Sequence, residues 1–256
     1  PVPLARAGRL NCVCGAPAVE DVFAFLRPAQ RIFAGGVTPA DRAAAAACGL
    51  TLTDYLAREE LAVRNGVPTA EGALALAMAE TDVTLCGTPC LVLGFGRIGK
   101  LLSQRLRALG ADVTVSARRL DDLAWIDAFG YRGVHTNRLA GTLGNCRVLF
   151  NTVPHMVLTD ALLAELRPDC VLIELANSPG FDRTAAQARG LKCIAGGGLP
   201  GRAAPETAAD AIYHTLKSIW EDNAGERKES ALPSVARSAI TRRCSHFTNP
   251  SRRSLS

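Results

Sequence analysis

With 256 residues and 48% hydrophobic content, the chain is long enough to bury a substantial core in one large or two small domains. The formal charge of +5 is supplied wholly by Arg237, Arg242, Arg243, Arg252 and Arg253 near the C-terminus, so the body is near neutral and nucleic-acid binding by it is not expected. No apolar run approaches a membrane span and no signal-peptide pattern opens the chain, so a globular protein without a membrane partner is expected.

Nine cysteines are scattered without a CxxC pair, and several begin apolar runs where a thiol behaves as a small hydrophobe. A reducing, cytoplasmic setting fits that usage. Cys12, Cys14, Cys86 and Cys90 are followed by no histidine cluster, so no metal site is expected.

In chain order, residues 1–66 show apolar runs at Val19 to Leu26 and Arg31 to Phe33, a helix-like Pro39 to Cys48 and a strand or turn at Leu50 to Thr53. A short helical stretch then runs from Asp54 to about Leu61. This pattern predicts the later part of a small α/β substrate lobe whose beginning is absent, because no complete first strand precedes it. Residues 67–87 read as a crossing helix and linker. Pro68 in the first turn and Glu71 beside the positive helix end predict a helix start there, running through Ala73 to Glu80. Thr69 and Glu71 are then expected at the site, Glu71 either as a catalytic carboxylate or only as a complement to the helix dipole.

Residues 88–204 carry the clearest signal. Cys90 to Leu93 is a short apolar run of the kind a buried parallel strand requires, and it is followed by Gly94-Phe95-Gly96-Arg97-Ile98-Gly99. Ile98, Leu101, Leu102, Leu106 and Leu109 keep helical spacing until Gly110, and Asp112 to Val115 alternates into a second strand. Such a βαβ unit lets backbone approach a pyrophosphate at a helix N-terminus, so a dinucleotide is expected on residues 94–99. The second strand ends Ser116-Ala117-Arg118-Arg119, without the acid that usually accepts from an NAD ribose about 20 residues beyond the motif. A hydroxyl and two guanidinium groups suit a 2′-phosphate, so NADP is expected ahead of NAD, which stays possible.

Leu120 to Phe129 predicts a helix, Tyr131 to His135 a strand, Leu139 and Leu143 a small helix, and Cys146 to Phe150 the fourth strand. Ligands in open α/β sheets lie beyond the carboxyl ends of strands, so Thr152, Val153 and Pro154 are expected along the nicotinamide half, with Ala176 at the end of the fifth strand. His155 is a proton acceptor there, or an idle loop histidine. A helix from Leu158 to Leu166, the strand Val171 to Ala176, a helix from Ala185 to Ala188 and the strand Lys192 to Ala195 complete six strands. The expected fold is α/β, a doubly wound parallel sheet of the Rossmann type with a second, truncated N-terminal α/β lobe. Residues 205–222 read as a C-terminal helix packing back on the first lobe, and 223–256 as a disordered basic tail whose composition cannot bury a core.

Pro68-Thr-Ala-Glu-Gly72, Leu91 to Arg97, Val113 to Arg118, Phe150 to Pro154, Glu174-Leu-Ala176 with Pro179-Gly180, and Gly198-Leu-Pro-Gly-Arg-Ala-Ala-Pro-Glu-Thr207 together resemble the A subunit of bacterial dipicolinate synthase. The resemblance is collinear from about Gly49 to Trp220, and its most specific blocks are the Pro-Thr-Ala-Glu-Gly start and the Gly-Leu-Pro-Gly turn with its Pro-Glu-Thr. It implies oxidation of dihydrodipicolinate, derived from the lysine pathway, to dipicolinate with reduction of NADP during spore formation. It also implies a partner, a flavoprotein-like B subunit. Members of the family usually read Ala-Ser-Lys/Arg-Pro-Gly-Gly where this chain reads Ala176-Asn-Ser-Pro-Gly-Phe181, so Ser178 stands at a position that is usually basic.

A ring dicarboxylate needs cationic or hydrogen-bonding partners, and Thr69, Ser178, Arg202 and Thr207 are the candidates, Arg202 serving equally for the cofactor phosphate. Two other functions stay open: a hydroxyacid or shikimate-type NADP dehydrogenase, and a non-catalytic nucleotide-binding subunit that regulates a partner. A homo-oligomer is left open as well.

Overall fold

A computed structural model describes residues 3–12 and 15–224. The tail expected from residue 223 lies outside the described residues except for 223–224, and Cys14 lies outside them too. The chain divides into two compact units, one holding residues up to Arg64 together with the chain from Ala209, the other holding Asn65 to Ala208.

In the first unit, β1 (Ala5–Arg6) and β2 (Arg9–Leu10) form an antiparallel hairpin that nothing in the sequence pattern signalled. Helix α1 (Val19–Ala24), strand β3 (Arg31–Ala34), helix α2 (Pro39–Ala47) and strand β4 (Thr51–Asp54) follow, with β3 and β4 paired in parallel. Thr38 starts α2 through a capping box with Asp41, and Pro39 sits where a missing N–H costs least. Leu4, Val19, Phe23, Ala34, Ala45, Leu50 and Leu52 bury together as its core.

Helix α3 (Glu59–Glu80) corrects the sequence reading. It does not begin at Pro68; one helix of 22 residues runs through that proline, with Glu59 and Glu60 in its first turn. Pro68 removes one i→i−4 hydrogen bond, a cost of about 3 kcal/mol in an open helix interior. Burial of Leu61 on one side of it, and of Ala70, Ala73, Leu74 and Ala77 on the other, holds the helix together across that gap.

The second unit is built on six parallel strands: β5 (Pro89–Leu93), β6 (Asp112–Ala117), β7 (Arg132–His135), β8 (Val148–Asn151), β9 (Val171–Glu174) and β10 (Lys192–Ala195). Their spatial order is β10-β9-β8-β5-β6-β7, so the chain reverses its winding between β5 and β8. This is the doubly wound Rossmann order, in which ligands lie at that reversal. Helices α4 (Arg97–Ala108), α5 (Leu120–Ala128), α6 (Asp160–Leu163) and α7 (Arg183–Ala188) provide crossovers. One face of the sheet buries Val92, Val115, Phe150 and Ile173 with α3 and α4 residues, and the other buries Leu93, Leu149 and Leu172 with Leu139, Leu143 and Leu163. Each such side chain contributes roughly 1.5–3 kcal/mol relative to exposure.

Two local expectations change here. Leu139 and Leu143 are buried but belong to no α-helix; a 3₁₀ turn at Thr136–Arg138 and further turns carry them inward. Helix α6 is much shorter than Leu158 to Leu166, because Leu158 donates its backbone N–H to Gly180 and bridges to Phe181. Helix α8 (Leu199–Ala203) then lies on α3 at Gly72, where a Cβ would stand 3.0 Å from both Leu199 and Ala203. Helix α9 (Pro205–Ala224) closes the chain, with Ala211 and Ile219 packing against Tyr55 and Leu61 in the first unit.

Candidate cofactor site

Each glycine of the turn between β5 and α4 is required for a different reason. Gly94 has φ +96°, a conformation that side chains rarely adopt. Gly99 lies so close to the strand that a Cβ there would fall 2.1 Å from the Gly94 carbonyl oxygen. Gly96 shows the opposite: a Cβ would meet nothing within 4 Å. It is exposed and caps α4 without a side-chain hydrogen bond, so nothing from its own side chain stands in front of the helix end.

This arrangement passes the test for a nicotinamide dinucleotide. The turn is tight at the first glycine, close-packed at the third and open at the second, where a pyrophosphate would meet the helix end. Phe95 and Ile98 flank the turn on its packed side; the Phe95 ring is buried, 6.2 Å from that of Phe129 and 5.3 Å from Lys100 Nζ. Thr152, at the end of β8, fastens the turn from its other flank. Its hydroxyl donates to the Leu93 carbonyl at 2.8 Å and would lie 2.5 Å from a Cβ on Gly94. Val153 lies against the same point, and Pro154 and His155 are exposed on the loop that follows.

At the end of β6 the three residues expected at a 2′-phosphate separate. Ser116 is fully buried, and its hydroxyl accepts from Thr136 at 3.5 Å. Arg119 is exposed and held by Asp121 in a bidentate pair, Nε to Oδ1 at 2.9 Å. Asp121 accordingly titrates below its usual range, chiefly through that hydrogen bond. Arg118 is exposed and forms no ion pair among the described residues, which leaves its guanidinium available.

Of the residues expected to handle substrate, those on α3 do not join this turn. The Thr69 hydroxyl is buried and donates to the Asn65 carbonyl within its own helix. Glu71 pairs with Arg105 at 3.5 Å, two turns along α4 from its N-terminal end. Ser178 is exposed on the loop after β9, Arg202 is exposed on α8 with a 3.3 Å bond to the Gly197 carbonyl, and Thr207 is exposed in the first turn of α9.

Two residues that the sequence reading assigned no role tie the loops together. Asn151 and Glu174 end β8 and β9 and are register partners. Asn151 is fully buried; its Oδ1 accepts from the Val153 N–H at 3.1 Å, and its Nδ2 donates to the Val153 carbonyl at 2.9 Å and to Glu174 Oε1 at 2.6 Å. Glu174 also accepts from the backbone N–H groups of Ala176 at 3.0 Å and Gly180 at 2.8 Å. The available signal was a polar residue closing each of two adjacent apolar strands.

The chain is similar to proteins that carry this geometry. Residues 55–189 match the D-isomer specific 2-hydroxyacid dehydrogenase, NAD binding domain. The A subunit of dipicolinate synthase from Bacillus subtilis (strain 168) is 35% identical over 169 residues, which cover 66% of this chain and 57% of that protein. The crystal structure of its counterpart from Bacillus halodurans, also the A subunit of dipicolinate synthase, superposes with a TM-score of 0.76 at 32% identity, covering 83% of this chain and 75% of that one. The chain belongs to the family of dipicolinate synthase A subunits and carries the NAD binding domain of the D-isomer specific 2-hydroxyacid dehydrogenases. The crystal structure of the A chain of dipicolinate synthase from Bacillus subtilis agrees, with a TM-score of 0.80 at 30% identity over 87% of this chain and 76% of that one. The matched domain makes this an oxidoreductase-type protein with a nicotinamide dinucleotide site. The chain spans 57% of the length of its curated relative. Among the described residues no helix is long and apolar enough to cross a membrane.

Proposed function

We propose that this chain oxidises dihydrodipicolinate to dipicolinate with NADP as acceptor, together with a B subunit, in spore formation. The observation that supports this most is the open turn at Gly96 in a chain 35% identical to the A subunit of dipicolinate synthase. The nicotinamide ring, when bound, supplies a hydride acceptor, and loss of hydride from a dihydropyridine yields an aromatic product. The protein therefore has mainly to align and shield.

In this reading the backbone of Gly94, Phe95, Gly96, Arg97, Ile98 and Gly99 holds the pyrophosphate. Arg118 pairs with the 2′-phosphate, while Arg119 contributes less because Asp121 already occupies it. Thr152, Val153, Pro154 and Ala176 border the nicotinamide half. His155 takes the ring proton, and Ser178, Arg202 and Thr207 donate to the two substrate carboxylates.

Purified protein incubated with dihydrodipicolinate and NADP, with the B subunit or without it, tests this. Growth of reduced-cofactor absorbance is the expected result; none in either mixture overturns it. The match to the 2-hydroxyacid dehydrogenase domain favours one second reading, oxidation of a 2-hydroxyacid, which the same assay with 2-hydroxyacids in place of dihydrodipicolinate would reveal.

A further inference from the structure

We propose that Glu174 is a positioning residue which, through Asn151, sets the loops at the ends of β8 and β9 for the nicotinamide half of the cofactor. The inference rests on the cofactor reading given above and adds a role to two residues outside it.

Hydrogen-bond capacity restricts what can stand at position 174. One oxygen of Glu174 accepts from Asn151 Nδ2 and from the Ala176 N–H, and the other accepts from the Gly180 N–H. All three partners are donors, so the group between them must be an acceptor on both sides, which a carboxylate is and a carboxamide is not. Asn151 in turn uses both Nδ2 hydrogens and its oxygen, which ties the Val153 backbone to the same point. Gly180 completes the contact: a Cβ there would lie 2.1 Å from Asn151 Nδ2, so only glycine lets the backbone close over the carboxamide.

The result is one rigid knot at the carboxyl ends of two adjacent strands, fixing Thr152 to Pro154 on one side and Ala176 to Gly180 on the other. Glu174 ends β9, two places from β5 in the sheet, whereas Asn151 ends β8 beside β5 and leads to Thr152 and Val153, which lie against Gly94. What Glu174 adds, the hold on Ala176 and Gly180, is therefore remote from the glycine turn and should act on the ring end of the cofactor more than on the adenosine end.

A pair of probes separates these ends. NADP carries the nicotinamide, and 2′-phospho-ADP-ribose lacks it while keeping the pyrophosphate and the 2′-phosphate. Wild-type full-length chain should bind both; if it binds neither, the cofactor reading itself falls. Glu174→Gln presents a donor to one of the three donors, and Asn151→Asp sets two carboxylates against each other. Each should weaken NADP about tenfold, and Glu174→Gln, whose loop is remote from Gly94, should leave 2′-phospho-ADP-ribose within about twofold. Equal weakening of both probes, or of neither, by Glu174→Gln would overturn the proposal. Should both variants fail to fold, amide exchange on the wild-type protein decides. The Ala176 and Gly180 amides should exchange slowly, and more slowly still with NADP but not with 2′-phospho-ADP-ribose; fast exchange, or equal protection by both probes, refutes it.

Discussion

Gly99 and Gly94 approach so closely that a Cβ on the first would fall 2.1 Å from the carbonyl oxygen of the second. Gly96, between them, faces open space and has an ordinary φ of −80°. The two positions should respond differently. Gly99→Ala must push α4 away from β5 and should cost about 1–3 kcal/mol by thermal or urea unfolding. Gly96→Ala should unfold within about 0.5 kcal/mol of wild type yet bind NADP at least about tenfold more weakly by calorimetric titration. Equal loss of stability in both variants would contradict this account of the turn.

Arg118 and Arg119 are adjacent in sequence but unequal in the structure, since only Arg119 is paired with Asp121. Arg118→Ala should lower the ratio of NADP to NAD affinity by about 2 kcal/mol, roughly thirtyfold, the worth of a hydrogen bond to a charged group. Arg119→Ala should change that ratio by less than about threefold. Titration of both cofactors against both variants checks the assignment, and the reverse ranking would defeat it.

The strands were legible because Cys90 to Leu93, Val148 to Phe150 and Val171 to Ile173 are unbroken apolar runs, the mark of strands buried on both faces. The glycine turn was legible because backbone conformation and close approach restrict residue type at single positions. The end of helix α3 was legible but its start was not, because a proline that usually opens a helix lies inside this one, and nothing local to Pro68 reports the burial that holds both halves. Nothing local to Thr69 and Glu71 reports their partners either, the Asn65 carbonyl one turn back and Arg105 on α4. For the joining of Asn151 to Glu174 the sequence offers only a polar residue closing each of two apolar strands, since the contact itself depends on the register of two strands 23 residues apart.

Three buried thiols, Cys90, Cys146 and Cys170, lie at the amino end of the sheet. Cys90 is pushed up to about 12 by desolvation, and Cys170 is raised as well, chiefly by its hydrogen bond with Cys146. At pH 8 the Cys90 and Cys170 thiols are neutral in the folded protein, whereas an unfolded thiol ionises near 8.5. Their contribution to stability is complete below about pH 8.5 and fades as pH rises toward 12. Brief alkylation at pH 8 followed by mass mapping should label the exposed Cys86 and leave Cys90, Cys146 and Cys170 unlabelled until denaturant is added. Labelling of Cys90 at the rate of Cys86 would show the sheet to be looser than described.

Asp169 receives two bonds from Arg167, at 2.9 and 3.0 Å, and one from Arg147, and these hold its carboxyl at about 2. An unfolded aspartate titrates near 3.9, so the folded state binds the proton less readily. The stabilisation is therefore present above about pH 4 and lost as pH falls through about 2. Urea midpoints of wild type and Asp169→Asn should differ at pH 5 and converge by about pH 2. A difference that persists in acid would show that Asp169 acts through something other than its charge.

The outermost strands of the six, β7 and β10, have only four residues each, and each opens with an exposed cation, Arg132 and Lys192. A second copy adding itself rim to rim would gain few backbone bonds and would have to accommodate the Arg132 cation at one margin and the Lys192–Glu80 ion pair at the other. Fibre growth by sheet extension is thereby discouraged at both margins, a safeguard for a chain whose central strands are among the most apolar it contains.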